Sequence, residues 1–330
     1  MTASDFTDLV VVSPVFEDWE AVGLLLPRLD AALAASGAHA RVVLVNDGST
    51  EPVPAGLVGG VFSAIREVRV LSLRRNLGHQ RALAIGLAFI HEELPCDAVV
   101  VMDADGEDDP PDITRLLAEV RASEGRSIVF ARRTRRSEGL TFTFLYKLYR
   151  ALHRALTGIS VQVGNFSVIP YALLGRLVVV SDLWNHYAAA IFQSRIRYTM
   201  VPTARARRLS GTSRMNLVLL VAHGLSAIAV FADRVGVRIV LAAIATLLAI
   251  VVVAVVAIAR SMWMHIGIPG WVIAGAFFGI VLVVQSAAAA SLFVLQVLFA
   301  RVTSTFIPVR DYPFFVQSDE AIWSRVDRSV

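Results

Sequence analysis

The fold is decided by the stretch Val99-Val-Val-Met-Asp103-Ala-Asp105-Gly-Glu107-Asp108-Asp109-Pro-Pro-Asp112. The apolar run from Ala98 to Met102 predicts a strand that is buried on both faces, as in a parallel sheet. The run ends in carboxylates, where Gly106 permits a turn and two prolines favour the start of a helix. Asp103 and Asp105 are therefore expected at the carboxyl end of a strand, the edge where open α/β sheets bind ligands.

Carboxylates at this spacing repel each other unless a cation neutralises them, and their oxygen atoms suit Mg²⁺ or Mn²⁺. An Asp-x-Asp pattern at the end of a strand is thus a candidate clamp for a metal-bound diphosphate. We expect Asp103 and Asp105 to hold the metal, with Glu107 as a further ligand. The alternative is an acidic loop that caps a helix. The three-residue pattern by itself favours this alternative, and the surrounding chain reverses the preference.

The composition indicates two parts of different character. The 330 residues suffice for about two domains, 56% of them are hydrophobic and 18% are charged. The mean hydropathy of +0.63 is above that of an ordinary soluble protein. Residues 1–235 have the composition of an α/β protein, and the apolar excess lies in residues 236–300. The net charge of +4 is too small to argue for nucleic-acid binding.

Cellular location is predicted from two further features. Cys96 is the single cysteine, which excludes an intrachain disulfide and fits a reducing compartment. The N-terminus lacks the basic and apolar regions of a cleavable signal peptide. We therefore expect the catalytic part to remain in the cytosol.

Short apolar strands alternate with helices along residues 1–140, which predicts an α/β domain with a mostly parallel sheet. The predicted strands are Leu9–Ser13, Arg41–Asn46, Val68–Leu73, Ala98–Met102 and Ser127–Ala131. Polar residues follow several strands, and loops at one edge of a sheet can converge on one site. Asp47 follows the second strand, although an Asp-Gly pair is equally typical of a simple turn. Neither a Gly-x-Gly-x-x-Gly fingerprint nor a Walker A motif is present in the sequence.

The order of four motifs resembles the inverting glycosyltransferases of family 2, which have a GT-A (Rossmann-like) fold. The motifs are Pro14-x-Phe16-Glu17, Val45-Asn46-Asp47-Gly48-Ser49, Asn76-x-Gly78 and Met102-Asp103-Ala-Asp105. Within the family the chain resembles the polyprenyl-phosphate (dolichyl-phosphate mannosyltransferase-like) enzymes. It departs from them where Phe16-Glu17-Asp18 replaces Tyr-Asn-Glu, Gly106-Glu107 replaces Leu-Gln, and Gly164-Asn165-Phe166-Ser167 replaces an Asp-Phe-Arg stretch.

This resemblance implies a metal-dependent enzyme, with Mg²⁺ or Mn²⁺, that moves a sugar from a UDP- or GDP-linked donor to a polyprenyl phosphate. Donor-binding roles are expected for Pro14, Phe16, Glu17, Asp47, Asn76, Asp103, Ala104 and Asp105. Catalytic roles are expected for Asp103 and Asp105. Asp108 is the candidate base if the acceptor is an alcohol, since a phosphate acceptor is already an anion.

A second informative stretch runs from Arg205 to Arg214, where glycine and serine separate arginines that suit phosphate recognition. Arg208, Gly211, Ser213 and Arg214 match an Arg-x-x-Gly-x-Ser-Lys pattern of the resembling family, with Arg in place of Lys. By this resemblance the stretch is expected to reach the donor diphosphate or the lipid phosphate. Arg132 and Lys147 are further candidates for binding the acceptor phosphate. The alternative is a positive loop that contacts anionic lipid headgroups.

The apolar part predicts a membrane hairpin. Helices of about 238–259 and 271–300 are long enough to cross a hydrocarbon core, and Trp263 and Trp271 suit its interface. Lys and Arg lie mainly outside the connecting loop, so we expect both ends of the hairpin in the cytosol. Residues 142–156 and 215–232 predict interfacial amphipathic helices, with a core-packing helix as the alternative for 142–156.

These patterns divide the chain into four predicted parts: a donor-binding core (1–140), an acceptor-side region (141–235), two transmembrane helices (236–300) and a cytosolic tail (301–330). We expect a protein of the bacterial inner membrane, and the resemblance implies a homo-oligomer. Two alternatives remain, a glycosyltransferase acting on a lipid hydroxyl and a non-catalytic, membrane-anchored nucleotide-sugar binder. A processive synthase is disfavoured because the chain lacks a Gln-x-x-Arg-Trp motif.

Overall fold

The computed structural model describes residues 6–133, 154–158, 163–211, 224–264, 267, 270–302 and 306–325. Of the predicted interfacial helices, 142–156 lies outside these residues except for 154–156, and residues 215–223 of 215–232 lie outside them as well. The chain divides into a sheet unit and a helical unit. The sheet unit comprises Met1–Lys147, Ser160–Val230 and Phe306–Val330, and the helical unit comprises Leu148–Ile159 and Phe231–Thr305.

The described part of the sheet unit contains one sheet of eight strands. They are β1 (Asp8–Val15), β2 (His39–Asn46), β3 (Ile65–Leu73), β4 (Ala98–Val101), β5 (Ile128–Arg133), β6 (Ser167–Pro170), β7 (Tyr198–Thr203) and β8 (Val316–Ser324). Their order is β7-β5-β6-β4-β1-β2-β3-β8. The pairs β1–β2, β1–β4, β2–β3 and β5–β7 are parallel, whereas β6 and β8 pair antiparallel with their neighbours. The predicted α/β class is confirmed, and the five predicted strands are present with shifted ends.

Helices cover both faces of the sheet. They are α1 (Trp19–Ser36), α2 (His79–Glu93), α3 (Asp112–Ala122), α4 (Tyr171–Leu177) and α5 (Tyr187–Gln193). Helices α1 and α3 share one buried apolar cluster with Val11 and Leu44. Helix α2 packs on the opposite face, where a Cβ on Gly86 would lie 2.6 Å from Val45 Cγ2 and 2.9 Å from Val12 Cγ2. Strands buried on both faces need continuous apolar runs, which the sequence of β1 and β4 provides.

Within the segment 301–330, for which the sequence predicts a cytosolic tail and no strand, residues 316–324 extend the sheet as β8 beside β3. Trp323 packs edge-on against Phe62 at 5.0 Å between ring centroids. The preceding residues, including α8 (Pro308–Asp311), lie in the same unit, and the tilted rings of Trp184 and Phe306 are 3.8 Å apart between centroids. A polar strand such as Gln317-Ser-Asp-Glu has no apolar alternation, because an edge strand leaves most of its side chains exposed.

The helical unit contains two long helices, α6 (Ala232–Met264) and α7 (Gly270–Val302), of 33 residues each. Ala232–Met264 and Gly270–Leu292 have the length and apolar composition of membrane spans. Large apolar side chains on both helices are exposed, for example Val253 at 65% and Phe278 at 67%. Gly279 permits a close approach of the two helices, since a Cβ there would lie 2.9 Å from Ile250 Cδ1. The two predicted apolar helices are confirmed as helices.

Candidate active site

The end of β4 continues into a tight acidic turn, residues 103–109. Asp105 Oδ1 accepts a hydrogen bond from the backbone N–H of Glu107 at 2.9 Å, and Arg208 Nη1 donates to its Oδ2 at 2.9 Å. Gly106 lies in the left-handed region at φ 79°, and a Cβ there would lie 2.3 Å from Leu209 Cγ. Burial, followed by the charge of Asp103, raises the pKa of Asp105 in spite of these two donors. The turn thus concentrates negative charge that a cation would stabilise.

Two further carboxylates of the acidic turn have partners within the fold. Asp108 is buried, and its Oδ2 accepts the backbone N–H of Asp103 at 3.0 Å. The carboxylate of Glu107 accepts from Arg205 Nε at 2.8 Å. Among the described residues, no three His, Cys, Asp or Glu side chains are grouped so that they could hold a metal ion alone. Asp103 and Asp105 supply only two carboxylates, so a divalent cation held by them would need its remaining ligands from a bound diphosphate or water.

The arginine loop, residues 204–211, lies on the acidic turn. Its backbone donates from Ala206 to the carbonyl of Glu107 at 3.0 Å and from Leu209 to the carbonyl of Asp105 at 2.9 Å. Arg208 forms ion pairs with both Asp105 and Asp18. The predicted residues Ser213 and Arg214 lie outside the described residues. The structure therefore brings Arg208 to the Asp-x-Asp motif, and its predicted role in phosphate binding stays a prediction.

The end of β1 carries a strained residue. Glu17 has a φ of 53°, which a residue with a side chain rarely adopts and which is typical of functional loops. Its backbone N–H donates to Ser49 Oγ at 3.0 Å, and its carboxylate accepts from Thr50 Oγ1 at 2.7 Å. Phe16 beside it is 39% exposed, and Pro14 lies within β1. The loops after β1 and β2 are thereby joined at the edge where the sequence predicts the donor.

At the end of β2, Asp47 is held entirely by backbone donors. Leu77 N–H donates to Oδ1 at 2.7 Å and Gly78 N–H to Oδ2 at 2.9 Å. Burial raises the pKa of Asp47, and these bonds only partly offset that effect. Asn76, in the same loop, is exposed. Asp47 therefore fixes the loop after β3, a role that the sequence prediction of donor binding did not include.

A chain of polar side chains leads from α5 to Asp103. Tyr187 N–H donates to Gln80 Oε1 at 2.7 Å, and Gln80 Nε2 donates to Asn165 Oδ1 at 3.2 Å. The amide nitrogen of Asn165 lies 2.7 Å from His79 Nε2, which is itself 3.3 Å from Asp103 Oδ1. The structure thus gives Asn165, whose role the sequence left open, two polar partners beside the acidic turn.

His79 and Gln80 were not predicted as site residues. The available signal was their place directly after Asn76-x-Gly78, at the same strand edge as the acidic turn. Burial would lower the pKa of His79, but the carboxylates of Asp103, Asp108 and Asp47 outweigh it and raise the pKa. His186 is buried and caps α5, where its Nδ1 accepts from Ala189 N–H at 3.4 Å.

A cavity of about 630 Å³ lies beside the arginine loop. Its lining includes the carboxylate residues Glu17, Asp18, Glu20 and Glu51, together with Trp19, Leu57, Ser210 and Gly211. Ser210 Oγ donates to Glu20 Oε2 at 2.6 Å, so the loop is attached to α1 as well as to the acidic turn. Of the other predicted acceptor-binding residues, Arg132 is exposed at the end of β5, and Lys147 lies outside the described residues.

Comparison with known proteins now decides the family. The sequence model described as "Glycosyl transferase family 2" matches residues 11–184, a span that runs from within β1 past the end of β6 and includes the acidic turn. The chain belongs to glycosyltransferase family 2. The family resemblance predicted from the four motifs is therefore confirmed.

Curated relatives in the family act on undecaprenyl phosphate according to their names. The chain is 25% identical over 217 residues to the undecaprenyl-phosphate 4-deoxy-4-formamido-L-arabinose transferase of Klebsiella pneumoniae, covering 64% of this chain and 63% of the relative. It is 24% identical over 225 residues to the enzyme of that name from Salmonella dublin, covering 66% of each. The matches thus span just under two thirds of the length of these relatives.

A solved structure shows the same fold. Glucosyl-3-phosphoglycerate synthase from Mycobacterium tuberculosis, in complex with Mn²⁺, UDP-glucose and phosphoglyceric acid, superposes with a TM-score of 0.51 at 20% identity. The superposition covers 71% of this chain and 82% of the synthase. The predicted GT-A fold of the sheet unit is confirmed by this likeness.

Proposed function

We propose that the protein is a metal-dependent inverting glycosyltransferase that moves a sugar from a UDP- or GDP-linked donor to a polyprenyl phosphate at a membrane surface. One observation carries the proposal: a family 2 acidic strand end, with an arginine ion-paired to it, belongs to the same chain as two exposed apolar helices. The names of the curated relatives support the polyprenyl-phosphate acceptor.

On the donor side, Asp103 and Asp105 would hold Mg²⁺ or Mn²⁺. A cation held there would supply positive charge to offset the charge that develops on the leaving nucleoside diphosphate. The synthase with the same fold was crystallised with Mn²⁺ and a UDP-sugar, which supports this assignment. Glu17 and Phe16 lie at the neighbouring strand end, where they are suited to contact the nucleoside. Glu107, which pairs with Arg205, stays a predicted additional ligand.

On the acceptor side, a phosphate monoester needs no general base because it is already an anion at pH 7. Its binding would instead need cations, and we assign this role to Arg208 and Arg132 of the sheet unit. Lys147, Ser213 and Arg214 stay predictions for the same role. The engagement of Asp108 with the backbone of Asp103 favours a structural role for that carboxylate and therefore a phosphate rather than a hydroxyl acceptor.

The two apolar helices would keep the enzyme at the bilayer that holds the lipid acceptor. The chain leaves the sheet unit after residue 230 and re-enters it at residue 306. Any membrane crossed between these points must be crossed an even number of times, which agrees with two spans. The distribution of Lys and Arg supports a cytosolic sheet unit, and we propose a bacterial inner-membrane protein that forms homo-oligomers.

A transfer assay tests the proposal. The purified full chain is incubated with Mn²⁺ and undecaprenyl phosphate against a panel of UDP- and GDP-sugars, and lipid-linked sugar is measured. We expect one donor to give product, and we expect EDTA and Asp105→Asn to abolish it. A panel of lipid alcohols serves as the comparison acceptor.

Each other outcome has a defined meaning. Product with a lipid alcohol and none with undecaprenyl phosphate would overturn the acceptor and restore Asp108 as a candidate base. Product that still forms in EDTA would overturn the proposal that transfer depends on a divalent metal ion. Binding of nucleotide sugar without transfer to any acceptor would support the non-catalytic binder instead.

A further inference from the structure

The arginine loop places a cation where the proposed metal would lie. Arg208 Nη1 is 2.9 Å from Asp105 Oδ2, and its other terminal nitrogen contacts Asp18. Its Nε also donates to the carbonyl of Ser210 at 2.9 Å, so the guanidinium orientation is fixed from three sides. Arg208 and Asp105 are each only about one-fifth exposed, at 20% and 17% of their side-chain surface, which limits screening by water.

A guanidinium in this place opposes a divalent cation for two reasons. It occupies an oxygen of Asp105 that the metal would need, and its positive charge repels a second cation within a few ångströms. The same guanidinium is well suited to a diphosphate, which it can bind through two parallel N–H donors. We therefore expect the Arg208–Asp105 ion pair in the enzyme before the donor binds. We do not expect it in the metal-loaded state.

We propose that Arg208 is the resident counter-cation of the acidic turn, which leaves Asp105 when the metal-bound donor enters and remains anchored on Asp18 to bind the diphosphate. This inference rests on the proposed function. Asp18 becomes a positioning residue that keeps the guanidinium at the site during the exchange. The exchange makes the metal and Arg208 competitors for Asp105, so the free enzyme binds metal weakly until a diphosphate offers Arg208 a new partner.

The movement of Arg208 away from Asp105 would weaken the contact between the arginine loop and the acidic turn. Two backbone bonds, from Ala206 to Glu107 and from Leu209 to Asp105, tie the loop to the acidic turn. Gly211, at φ 70°, adopts a left-handed conformation in the same loop. Moving Arg208 away from Asp105 removes the central ion pair of this attachment and loosens the loop.

Mn²⁺ binding to the detergent-purified full chain, without nucleotide, tests the proposal. Arg208→Gln and wild type are titrated with Mn²⁺ and free Mn²⁺ is followed by its electron paramagnetic resonance signal. We expect Arg208→Gln to bind Mn²⁺ about tenfold more tightly. Arg126→Gln is the matched control for the loss of one positive charge, because Arg126 is 64% exposed and pairs with Glu124. Its Mn²⁺ affinity should stay within twofold of wild type.

Limited trypsin digestion gives a second readout, because Arg205, Arg207 and Arg208 are cleavage sites in the arginine loop. We expect saturating Mn²⁺ to speed cleavage of the wild-type loop several-fold over EDTA. Arg208→Gln, which retains Arg205 and Arg207, should be cleaved rapidly in EDTA as well. Arg208→Lys, which keeps the charge without the paired donors, should give an intermediate Mn²⁺ affinity.

Two results would overturn the inference while leaving the proposed function intact. One is equal or weaker Mn²⁺ binding by Arg208→Gln, and the other is Mn²⁺ binding that leaves wild-type loop cleavage unchanged. Failure of the proposed function looks different, because then neither wild type nor Arg208→Gln binds Mn²⁺, and Asp105→Asn behaves as they do. That result would overturn both.

Discussion

An aspartate follows each of β2 and β4, Asp47 buried and Asp105 part-buried, but the two carboxylates are satisfied in different ways. Both oxygens of Asp47 accept from backbone N–H groups of Leu77 and Gly78. Asp105 accepts one backbone N–H, from Glu107, and its other oxygen pairs with the side chain of Arg208. Backbone donors cannot leave without unfolding a loop, whereas a side-chain cation can move.

The difference separates a structural carboxylate from an exchangeable one. Burial raises the pKa of both residues, so the direction of the shift alone does not distinguish them. The identity of the hydrogen-bond donors distinguishes the two carboxylates. Asp47 joins the loop after β2 to the loop after β3, while Asp105 keeps an oxygen that a metal can claim once Arg208 moves.

The largest expected effect comes from Asp105→Asn, which removes the charge that would hold the metal. We expect transfer to fall by about three orders of magnitude, with the folded state retained. Transfer is measured with the donor identified in the panel assay, and folding by thermal unfolding. Asp109→Asn is the matched control in the same turn and should keep transfer within about threefold. Loss of stability in place of activity would contradict the exchangeable role.

Asp47→Asn should show the opposite pattern. An amide can accept only one of the two backbone N–H groups and turns its NH₂ toward the other, so we expect unfolding free energy to fall by about 2 kcal/mol. Chemical denaturation of the sheet unit in the full chain measures the change. Glu124→Gln, on a solvent-exposed ion pair, should change stability by less than about 0.5 kcal/mol. Full stability with lost transfer would assign Asp47 to the donor instead.

The sequence was sufficient to predict where the strands end. It was not sufficient to distinguish the structural carboxylate of Asp47 from the exchangeable carboxylate proposed for Asp105. Continuous apolar runs predict β1 and β4, and their polar ends follow directly, so Asp47 and Asp105 were both found. Which donors reach each carboxylate depends on contacts 30 residues away for Asp47 and 103 residues away for Asp105. Sequence patterns with periods of two or 3.6 residues contain no information about such distant pairing.

The missed elements have related physical causes. β8 is a polar edge strand whose pairing with β3 spans a separation of about 250 residues, as in the Arg69–Asp319 ion pair. The contacts of Asn165 with His79 and Gln80 join residues about 85 positions apart. The apolar helices, in contrast, were predictable because length and composition are local properties of the chain.

Asn165→Ala tests whether the side-chain contacts of Asn165 help to hold Asp103 of the acidic turn in position. Removing the amide takes one partner from Gln80 and one from His79, and the position of Asp103 becomes less fixed. We expect transfer to fall about tenfold, as is typical when residues that orient metal ligands are lost. The exposed Asn185→Ala is the control and should leave transfer unchanged. If Asn165→Ala unfolds the sheet unit at lower denaturant without changing transfer, the contact is structural, like that of Asp47.

Asp30 sharpens the comparison because it is held by backbone donors, as Asp47 is, but lies nearer to solvent. Its carboxylate accepts from the backbone N–H groups of Ser63, Ala64 and Ile65. Desolvation opposes ionisation, but these bonds outweigh it and lower the pKa of Asp30. The stabilisation is therefore complete above the unfolded-state pKa of about 3.9 and is lost as pH falls through the lower folded-state pKa. We expect Asp30→Asn to lose up to about 1 kcal/mol at pH 7, discounted for partial exposure, and less at pH 3. Chemical denaturation at pH 7 and pH 3 measures the loss of unfolding free energy caused by Asp30→Asn. A larger loss at pH 3 than at pH 7 would show that the backbone donors do not favour the charged form of Asp30.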